Sequence, residues 1–362
     1  MSRFYALKIA AAQRETRDAV ALTFAVPPAL ESLFRFSPGQ HLTVRAFIDG
    51  EEMRRSYSIC AGTHEGRLRI AIKRNPGGVF SNWANDHLRA GDAMEVMPPL
   101  GHFHVPLDPA NRKHYVAFAA GSGITPVLSI VASTLAAEPH SSFTLVYGNR
   151  ASSTVMFREE LAALKDVHLD RFNLVHVLSR EAQDIPLFHG RIDTAKVNAL
   201  AETWIPLSDV DTIFICGPEG MMESVRQALA SRGVPESRIR IERFATSVHR
   251  HEHVQPALPQ DASSDCEVTV LLDGMTRVFH VDRTRESILE GGLKAGIELP
   301  YSCKSGVCST CRAKLVQGEV DMDANYALED YEIARGFVLT CQSYPVTDAV
   351  TVDYDQGSTG AS

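Results

Sequence analysis

Four cysteines carry the clearest chemistry in the sequence. Cys303, Cys308 and Cys311 lie in YSCKSGVCSTC, and Cys341 follows in LTCQSYP. The pattern C-x4-C-x2-C, with a fourth cysteine thirty positions on, is the ligand spacing of a [2Fe–2S] centre. Structural zinc is the alternative. It favours paired C-x2-C units, and only Cys308 and Cys311 form one. Lys304, Ser305, Gly306, Ser309 and Thr310 are mostly small, so backbone N–H groups are free to point at the sulfurs.

A cluster of this kind carries one electron at a time, so a donor is needed. GSGITP (121–126) follows the apolar run YVAFAA. It reads as a strand-to-helix turn in which Gly121 and Gly123 let a pyrophosphate approach the backbone and Pro126 sits in the first helical turn. An ordinary turn would look the same. The next strand ends in YGNR, placing Arg150 where an NAD-binding domain expects an acidic residue, and Arg180 and Arg191 follow in LSRE and HGRI. Arginines suit a 2′-phosphate, so NADPH is expected over NADH. Upstream, RRSYSIC (54–60) sets a tyrosine beside hydroxyls and arginine, a combination able to stack on a flavin. NPGGVFS then offers Gly77 and Gly78, with Ser81 expected as a helix N-cap. A flavin accepts a hydride and releases electrons singly, which joins the two carriers.

The elements that must position these residues fall into segments. Residues 1–107 alternate apolar and polar residues in short runs punctuated by SPGQ, NPGG and MPPLG, as in an antiparallel β-barrel. Residues 108–248 alternate short buried strands with helical stretches, as in an α/β parallel sheet. Residues 249–264 (HRHEHVQPALPQDASS) read as a linker, and residues 265–356 as a small α+β domain opening with a hairpin at Asp273-Gly274, with 357–362 a tail.

Composition sets further bounds. At 362 residues, with 44% hydrophobic and 22% charged residues, two or three domains are expected. No apolar run reaches membrane-spanning length and the N-terminus lacks a signal-peptide core, so a cytoplasmic, thiol-reducing location is expected, without a membrane partner. The net charge of −8 arises from His249 onward, where nine Lys/Arg face eighteen Asp/Glu, while the preceding residues are close to neutral. That imbalance disfavours nucleic acid and suits either solubility or docking on a basic protein surface. The acidic segment 319–332 is the candidate for such docking.

In order, R-x-Y-S, G-G-x-x-S, G-S-G-I-T-P, Y-G-N-R, C-G-P and E-R-F resemble the ferredoxin–NADP+ reductase superfamily. The C-terminal domain resembles a plant-type ferredoxin, which implies a β-grasp-like fold. Reductase followed by ferredoxin resembles the one-component reductases of bacterial oxygenases. Among these, ITPVLSI, YGNRASSTVMFREEL and CGPEGMM most resemble reductase subunits of phenylacetyl-CoA epoxidase complexes, whose oxygenase partner is a di-iron protein. The resemblance implies that Arg55, Tyr57 and Ser58 bind FAD, with Ser58 near the flavin N5. It implies that Gly77, Gly78 and Ser81 hold the FAD pyrophosphate and that Lys73 runs along the ribityl chain. Gly121, Gly123, Thr125 and Pro126 would face the NADPH pyrophosphate, and Arg150, Ser179, Arg180 and Arg191 its 2′-phosphate. Cys216, with Gly217 and Pro218, would sit by the nicotinamide, while Glu242 and Phe244 would close the flavin side. Ser58, Cys216, Glu242 and Phe244 are thus the catalytic candidates. Pro126 replaces the third glycine of a Rossmann fingerprint, so nucleotide binding in this superfamily's own manner is expected.

The expected activity is electron transfer from NADPH through FAD and the [2Fe–2S] cluster to a di-iron oxygenase, most closely phenylacetyl-CoA epoxidase. A Rieske dioxygenase or another hydroxylase is the alternative acceptor. A redox sensor without turnover is the alternative of another class.

Overall fold

The computed structural model describes residues 4–244 and 264–357. Residues 249–263 of the expected linker, with its three histidines, and 358–362 of the expected tail lie outside the described residues. The chain forms two compact units. One comprises Tyr5–Met53 and Tyr57–Arg243, the other Met1–Phe4, Arg54–Ser56 and Phe244–Ser362.

The first unit begins with strands β1 (Tyr5–Thr16), β2 (Ala19–Ala25), β3 (His41–Ile48), β4 (Glu51–Ser58, apart from its Arg54–Ser56), β5 (Leu68–Lys73) and β6 (Ala93–Val96), with helix α1 (Val79–His87) before β6. They hydrogen-bond in the order β4-β3-β6-β1-β2-β5. A bridge between Ile59 and Ile70 joins the two end strands, closing the sheet into a barrel. Alternation explains the strands: in β1, Leu7 and Ile9 are buried while Lys8 is exposed. These side chains meet Leu22, Leu42, Val44, Ile59, Ile70 and Ile72 in one core. Each fully buried aliphatic contributes about 1.5–3 kcal/mol relative to exposure.

The same unit continues through β7 (His114–Ala120), α2 (Ile124–Ala137), β8 (Ser142–Asn149), α3 (Arg158–Val167), β9 (Phe172–Leu178), α4 (Thr194–Thr203), β10 (Thr212–Cys216), α5 (Glu219–Ser231) and β11 (Ile239–Glu242). These strands form a parallel sheet in the order β11-β10-β7-β8-β9. Helices on both faces account for the continuous apolar strand runs. From β7 the chain moves outward to β8 and β9, then returns to the other side of β7 as β10. The strand order therefore reverses between β7 and β10, and ligands of open α/β sheets bind outside the carboxyl ends of the strands at such a point.

Barrel and parallel sheet are tied together. Ser129 Oγ donates to the Ala61 carbonyl at 2.7 Å, and the Thr63 N–H donates to Ser133 Oγ at 3.0 Å. Arg69 of the barrel donates to both Glu160 oxygens on α3 at 2.8 and 2.9 Å. Phe157, at a φ of 56°, donates its N–H to Glu15 of β1 at 3.2 Å.

The second unit holds β12 (Asp265–Leu272), β13 (Met275–Asp282), α6 (Ile288–Lys294), β14 (Arg312–Gln317), β15 (Val320–Met322), α7 (Asp330–Ala334), β16 (Phe337–Leu339), β17 (Ser343–Pro345) and β18 (Ala349–Asp353). A five-stranded sheet runs β13-β12-β18-β14-β16, with β15 and β17 paired separately. The β12–β13 hairpin turns on Asp273 and Gly274, both at positive φ. Ser287 opens α6 by a reciprocal capping box with Glu290. Gly291 lets that helix sit close on the sheet, because a Cβ there would fall 2.0 Å from Val281 Cγ1. Among the described residues, no helix is long and apolar enough to cross a membrane.

Candidate functional site

On the barrel side, Tyr57 and Ser58 end strand β4, with Arg55 earlier on the same strand. The Tyr57 ring packs 5.9 Å from Phe80 of α1. After β5 the chain turns through Asn75–Gly78, where Gly77 takes a φ of 74° and Gly78 donates its N–H to the Asn75 carbonyl at 2.9 Å. Residue type makes Ser81 the expected N-cap of α1, and the structure corrects this. The cap is Gly78, and Ser81 is the third helical residue. Its hydroxyl serves the preceding turn instead: it accepts from the Asn75 N–H at 3.0 Å and donates to the Gly78 carbonyl at 3.3 Å. Ser81 thus braces the glycine turn, while the first N–H groups of α1 keep the polarity that attracts an anion.

The second glycine turn lies at the reversal between β7 and β10. Gly121 adopts a φ of 55°, and Tyr147 donates its hydroxyl to the Gly121 carbonyl at 3.0 Å. Helix α2 then starts at Ile124, with Thr125 bonded to the Ser122 carbonyl and Pro126 third, where its missing N–H costs no helical bond. A Cβ on Gly123 would lie 2.1 Å from the Cys216 carbonyl oxygen, so only glycine allows the two turns to approach. Gly217 packs likewise against Ala120, and Pro218 caps α5. The Lys73 ammonium lies 3.8 Å from where a Gly121 Cβ would stand, so the barrel presents a cation to the Gly121 turn.

Three catalytic candidates converge here. Cys216 and Glu242 are register partners at the ends of β10 and β11. Ser58 Oγ donates to Glu242 Oε2 at 3.2 Å. Desolvation pushes Glu242 up to about 8, against the lowering effect of the Ser58 hydrogen bond. Burial, and then the nearby Glu242, raise the Cys216 thiol well above its ordinary range. Cys216 is therefore a neutral apolar surface and no thiolate nucleophile. Phe244, half-buried, lies two residues beyond Glu242.

The arginine candidates gather at the outer end of the parallel sheet. The Ser179 N–H donates to the Asn149 carbonyl and the Arg180 N–H to the Arg150 carbonyl, at 2.9 and 2.8 Å, zipping the turns after β8 and β9 together. Gly190 donates to the Leu178 carbonyl, which brings Arg191 back to the end of β9. Arg150, Arg180 and Arg191 are all exposed. Two residues that sequence reasoning missed complete this corner. The Ser152 N–H and hydroxyl both donate to Glu181 Oε2, at 2.7 and 2.9 Å, and hold its carboxyl below the usual range. Glu181 directly follows Arg180, but nothing in the sequence pairs it with a serine 29 residues away.

In the second unit, Cys308, Cys311 and Cys341 are buried, Cys303 is half-buried, and all four are free thiols. Lys304, Gly306 and Ser309 have positive φ, which wraps the loop inward. A Cβ on Gly306 would stand 2.8 Å from the Ala324 carbonyl. The N–H groups of Ser305 and Cys303 point at the sulfurs of Cys303 and Cys308, at 3.4 and 3.5 Å. Contact with Cys308, and then the backbone N–H groups of Ser305 and Val307, bring Cys303 down to about 5. Among the described residues, no group of three or more His, Cys, Asp or Glu converges as a single ion would require. The thiols instead stand in two pairs, Cys303 with Cys308 and Cys311 with Cys341. Two pairs with sulfur-directed N–H groups fit a two-iron, four-cysteine cluster.

Comparison with known proteins agrees with this geometry. Residues 6–105 match the oxidoreductase FAD-binding domain family, residues 118–227 the oxidoreductase NAD-binding domain family, and residues 270–346 the 2Fe-2S iron-sulfur cluster binding domain family. The chain is 46% identical over 98% of its length to a component of the 1,2-phenylacetyl-CoA epoxidase of Escherichia coli (strain K12), covering 99% of that relative. It is 33% identical to the ferredoxin reductase component of 3-ketosteroid-9-alpha-monooxygenase from Rhodococcus rhodochrous, covering 98% of the chain and 97% of the relative. The solved structure of phthalate dioxygenase reductase is similar with a TM-score of 0.57 at 27% identity, over 97% of this chain and 98% of that one. The chain belongs to this family of oxygenase reductase components, and it is an FAD- and [2Fe–2S]-dependent NAD(P)H oxidoreductase.

Proposed function

We propose that this oxygenase reductase takes its electrons from NADPH and delivers them to the di-iron oxygenase of a phenylacetyl-CoA epoxidase. FAD, when bound, supplies the exchange between a hydride's electron pair and single electrons, and the cluster supplies one-electron transfer outward. The chain's own residues position and insulate. Gly77, Gly78 and Ser81, with Arg55 and Tyr57, would hold FAD. Gly121, Gly123, Thr125 and Pro126 would receive the dinucleotide pyrophosphate, Lys73 would run along the FAD ribityl chain, and Cys303, Cys308, Cys311 and Cys341 would hold the cluster. Ser58 and Glu242 keep a hydroxyl and a carboxyl proton beside the place where Gly123 meets Cys216. Full-length identity of 46% to the Escherichia coli epoxidase component carries the choice of acceptor.

NADPH is favoured over NADH by the three exposed arginines at the ends of β8 and β9. Among the described residues, none of the three guanidinium groups is engaged in an ion pair, so they are available to a 2′-phosphate.

Reconstitution with purified oxygenase subunits tests the acceptor. Phenylacetyl-CoA turnover should require this chain and NADPH together. Turnover supported only with a Rieske oxygenase would replace the substrate assignment, and failure to sustain NADPH oxidation even with ferricyanide as acceptor would favour the sensor reading. In a separate test, Ser58→Ala should slow NADPH-driven flavin reduction on rapid mixing while cluster absorbance stays constant. An unchanged rate removes Ser58 from the chemistry.

A further inference from the structure

The four cysteines receive their hydrogen bonds in two different ways. At Cys303 and Cys308 the donors are backbone N–H groups, those of Ser305 and Cys303. Any residue type but proline supplies such a donor. At Cys341 the donor is a side chain. Gln342 Nε2 stands 3.7 Å from Cys341 Sγ, within reach of an N–H···S bond. The same amide donates to the Cys341 carbonyl at 2.9 Å and to the Lys304 carbonyl at 3.2 Å. Lys304 lies 38 residues away, inside the turn that carries Cys303 and Cys308. Two N–H hydrogens therefore serve acceptors on both sides of the loop.

The backbone of Gln342 is held at both its polar groups. Its N–H donates to the Leu339 carbonyl at 2.8 Å, and its carbonyl accepts from the Asp323 N–H at 3.0 Å. Three residues on, the Tyr326 N–H donates to the Gly306 carbonyl, also at 3.0 Å. The glutamine stem packs on that glycine, its Cγ 3.4 Å from where a Gly306 Cβ would stand. One side chain thus joins the turn of the first cysteine pair to the segment of the second.

We propose that Gln342 is the clasp of the cluster loop. It is a positioning residue whose amide holds the Cys303–Cys308 turn against the Cys341 segment and whose N–H at Cys341 Sγ raises the cluster's reduction potential. The inference rests on the reading that the four cysteines hold the [2Fe–2S] cluster. Reduction adds negative charge that spreads onto the cysteine sulfurs, and a donor at sulfur favours the more negative state. The bond to Lys304 acts by closure. It spans the loop, so its loss loosens the turn and opens a way to the iron. One residue then governs both how tightly the cluster is kept and how readily it is reduced.

Gln342→Met keeps the length of the side chain and removes both N–H donors. Two properties are read on the full-length, iron-loaded protein, neither of them turnover. The midpoint potential should fall, with the reduced-to-oxidised ratio at a fixed potential dropping about threefold, or about 30 mV at 59 mV per decade. Iron release from the reduced protein to bathophenanthroline should quicken by about threefold or more, as expected for one lost hydrogen bond. A general folding fault would lower iron content and leave the potential of the loaded fraction where it was. An unchanged potential or an unchanged release rate overturns the proposal. If the variant takes up no iron, the natural protein decides. With glutamine carrying nitrogen-15 at its side-chain amide, pulsed EPR should show that nucleus coupled to the reduced cluster. A [2Fe–2S] signal without the coupling overturns the proposal alone, whereas no such signal removes the cluster reading and the proposal with it.

Discussion

Two glycine turns stand where phosphates are proposed to bind in this molecule, and they use glycine for different reasons. At Gly77 the backbone sits at a φ of 74°, and nothing lies within 4 Å of where a Cβ would be. The residue is needed for its conformation, and the space around it is left open. At Gly123 the conformation is ordinary, with φ −61° and ψ −9°. What matters is the Cys216 carbonyl 2.1 Å from the absent Cβ. The first turn is a shape made by one torsion angle. The second is a contact made between two strands at the point where the sheet reverses. Similar sequence therefore conceals different tolerances to change.

Substitution should expose that difference, most strongly at Gly123. In Gly123→Ala the obstacle is a backbone atom on β10, which cannot rotate aside, so a cost of roughly 1–3 kcal/mol or more is expected. The KM for NADPH should rise at least about tenfold, by the usual conversion of 1.4 kcal/mol per decade, while FAD stays bound. A variant with normal nicotinamide kinetics would show that the close approach is incidental.

The next largest effect concerns the Glu242 carboxyl, which accepts from Ser58 at the end of β11. Glu242 titrates near 8 in the folded protein against an ordinary 4.5. The native state therefore keeps a proton that the unfolded chain has already released. The resulting stability is full below about pH 4.5 and is lost as pH rises toward about 8. Denaturant midpoints taken across that window should decline more steeply for the natural protein than for Glu242→Gln. Parallel profiles would mean the carboxyl is solvated after all.

Gly77→Ala should be milder than Gly123→Ala, about 1–2 kcal/mol for one left-handed residue, with weaker FAD retention and an unchanged KM for NADPH. Smallest is Ser81→Ala, which removes one acceptor from the Asn75 N–H. A loss of about 1 kcal/mol is expected, seen as several-fold faster FAD release. A larger effect than Gly77→Ala would make the brace, and not the torsion, the decisive feature of that turn.

Much of this was readable in the chain itself. Period-two alternation in β1 and continuous apolar runs in β7 and β8 are direct imprints of one-sided and two-sided burial. Cysteine spacing is a local property, so the loop around Cys303 was legible. What escaped depends on residues far apart in sequence. Ser81 matched an N-cap by type, yet its hydroxyl was taken by Asn75 six residues earlier, and the helix began at Gly78. Glu181 bonds Ser152, and Lys73 reaches Gly121, across distances for which sequence carries no pairing signal. Glu242 drew notice through resemblance alone, because its displaced titration arises from removal from water, which only the folded surroundings create.

The bonds between barrel and parallel sheet have a consequence for how the enzyme works as a material. Ser129, Thr63, the Arg69–Glu160 pair and the Glu15–Phe157 bond join the two at separate points along their boundary. A protein whose flavin and nucleotide halves met afresh on each cycle would surrender rotational freedom every time. Here that entropy is surrendered once, when the chain folds. The two halves should melt together, in one cooperative step whose denaturant dependence reports the surface of both.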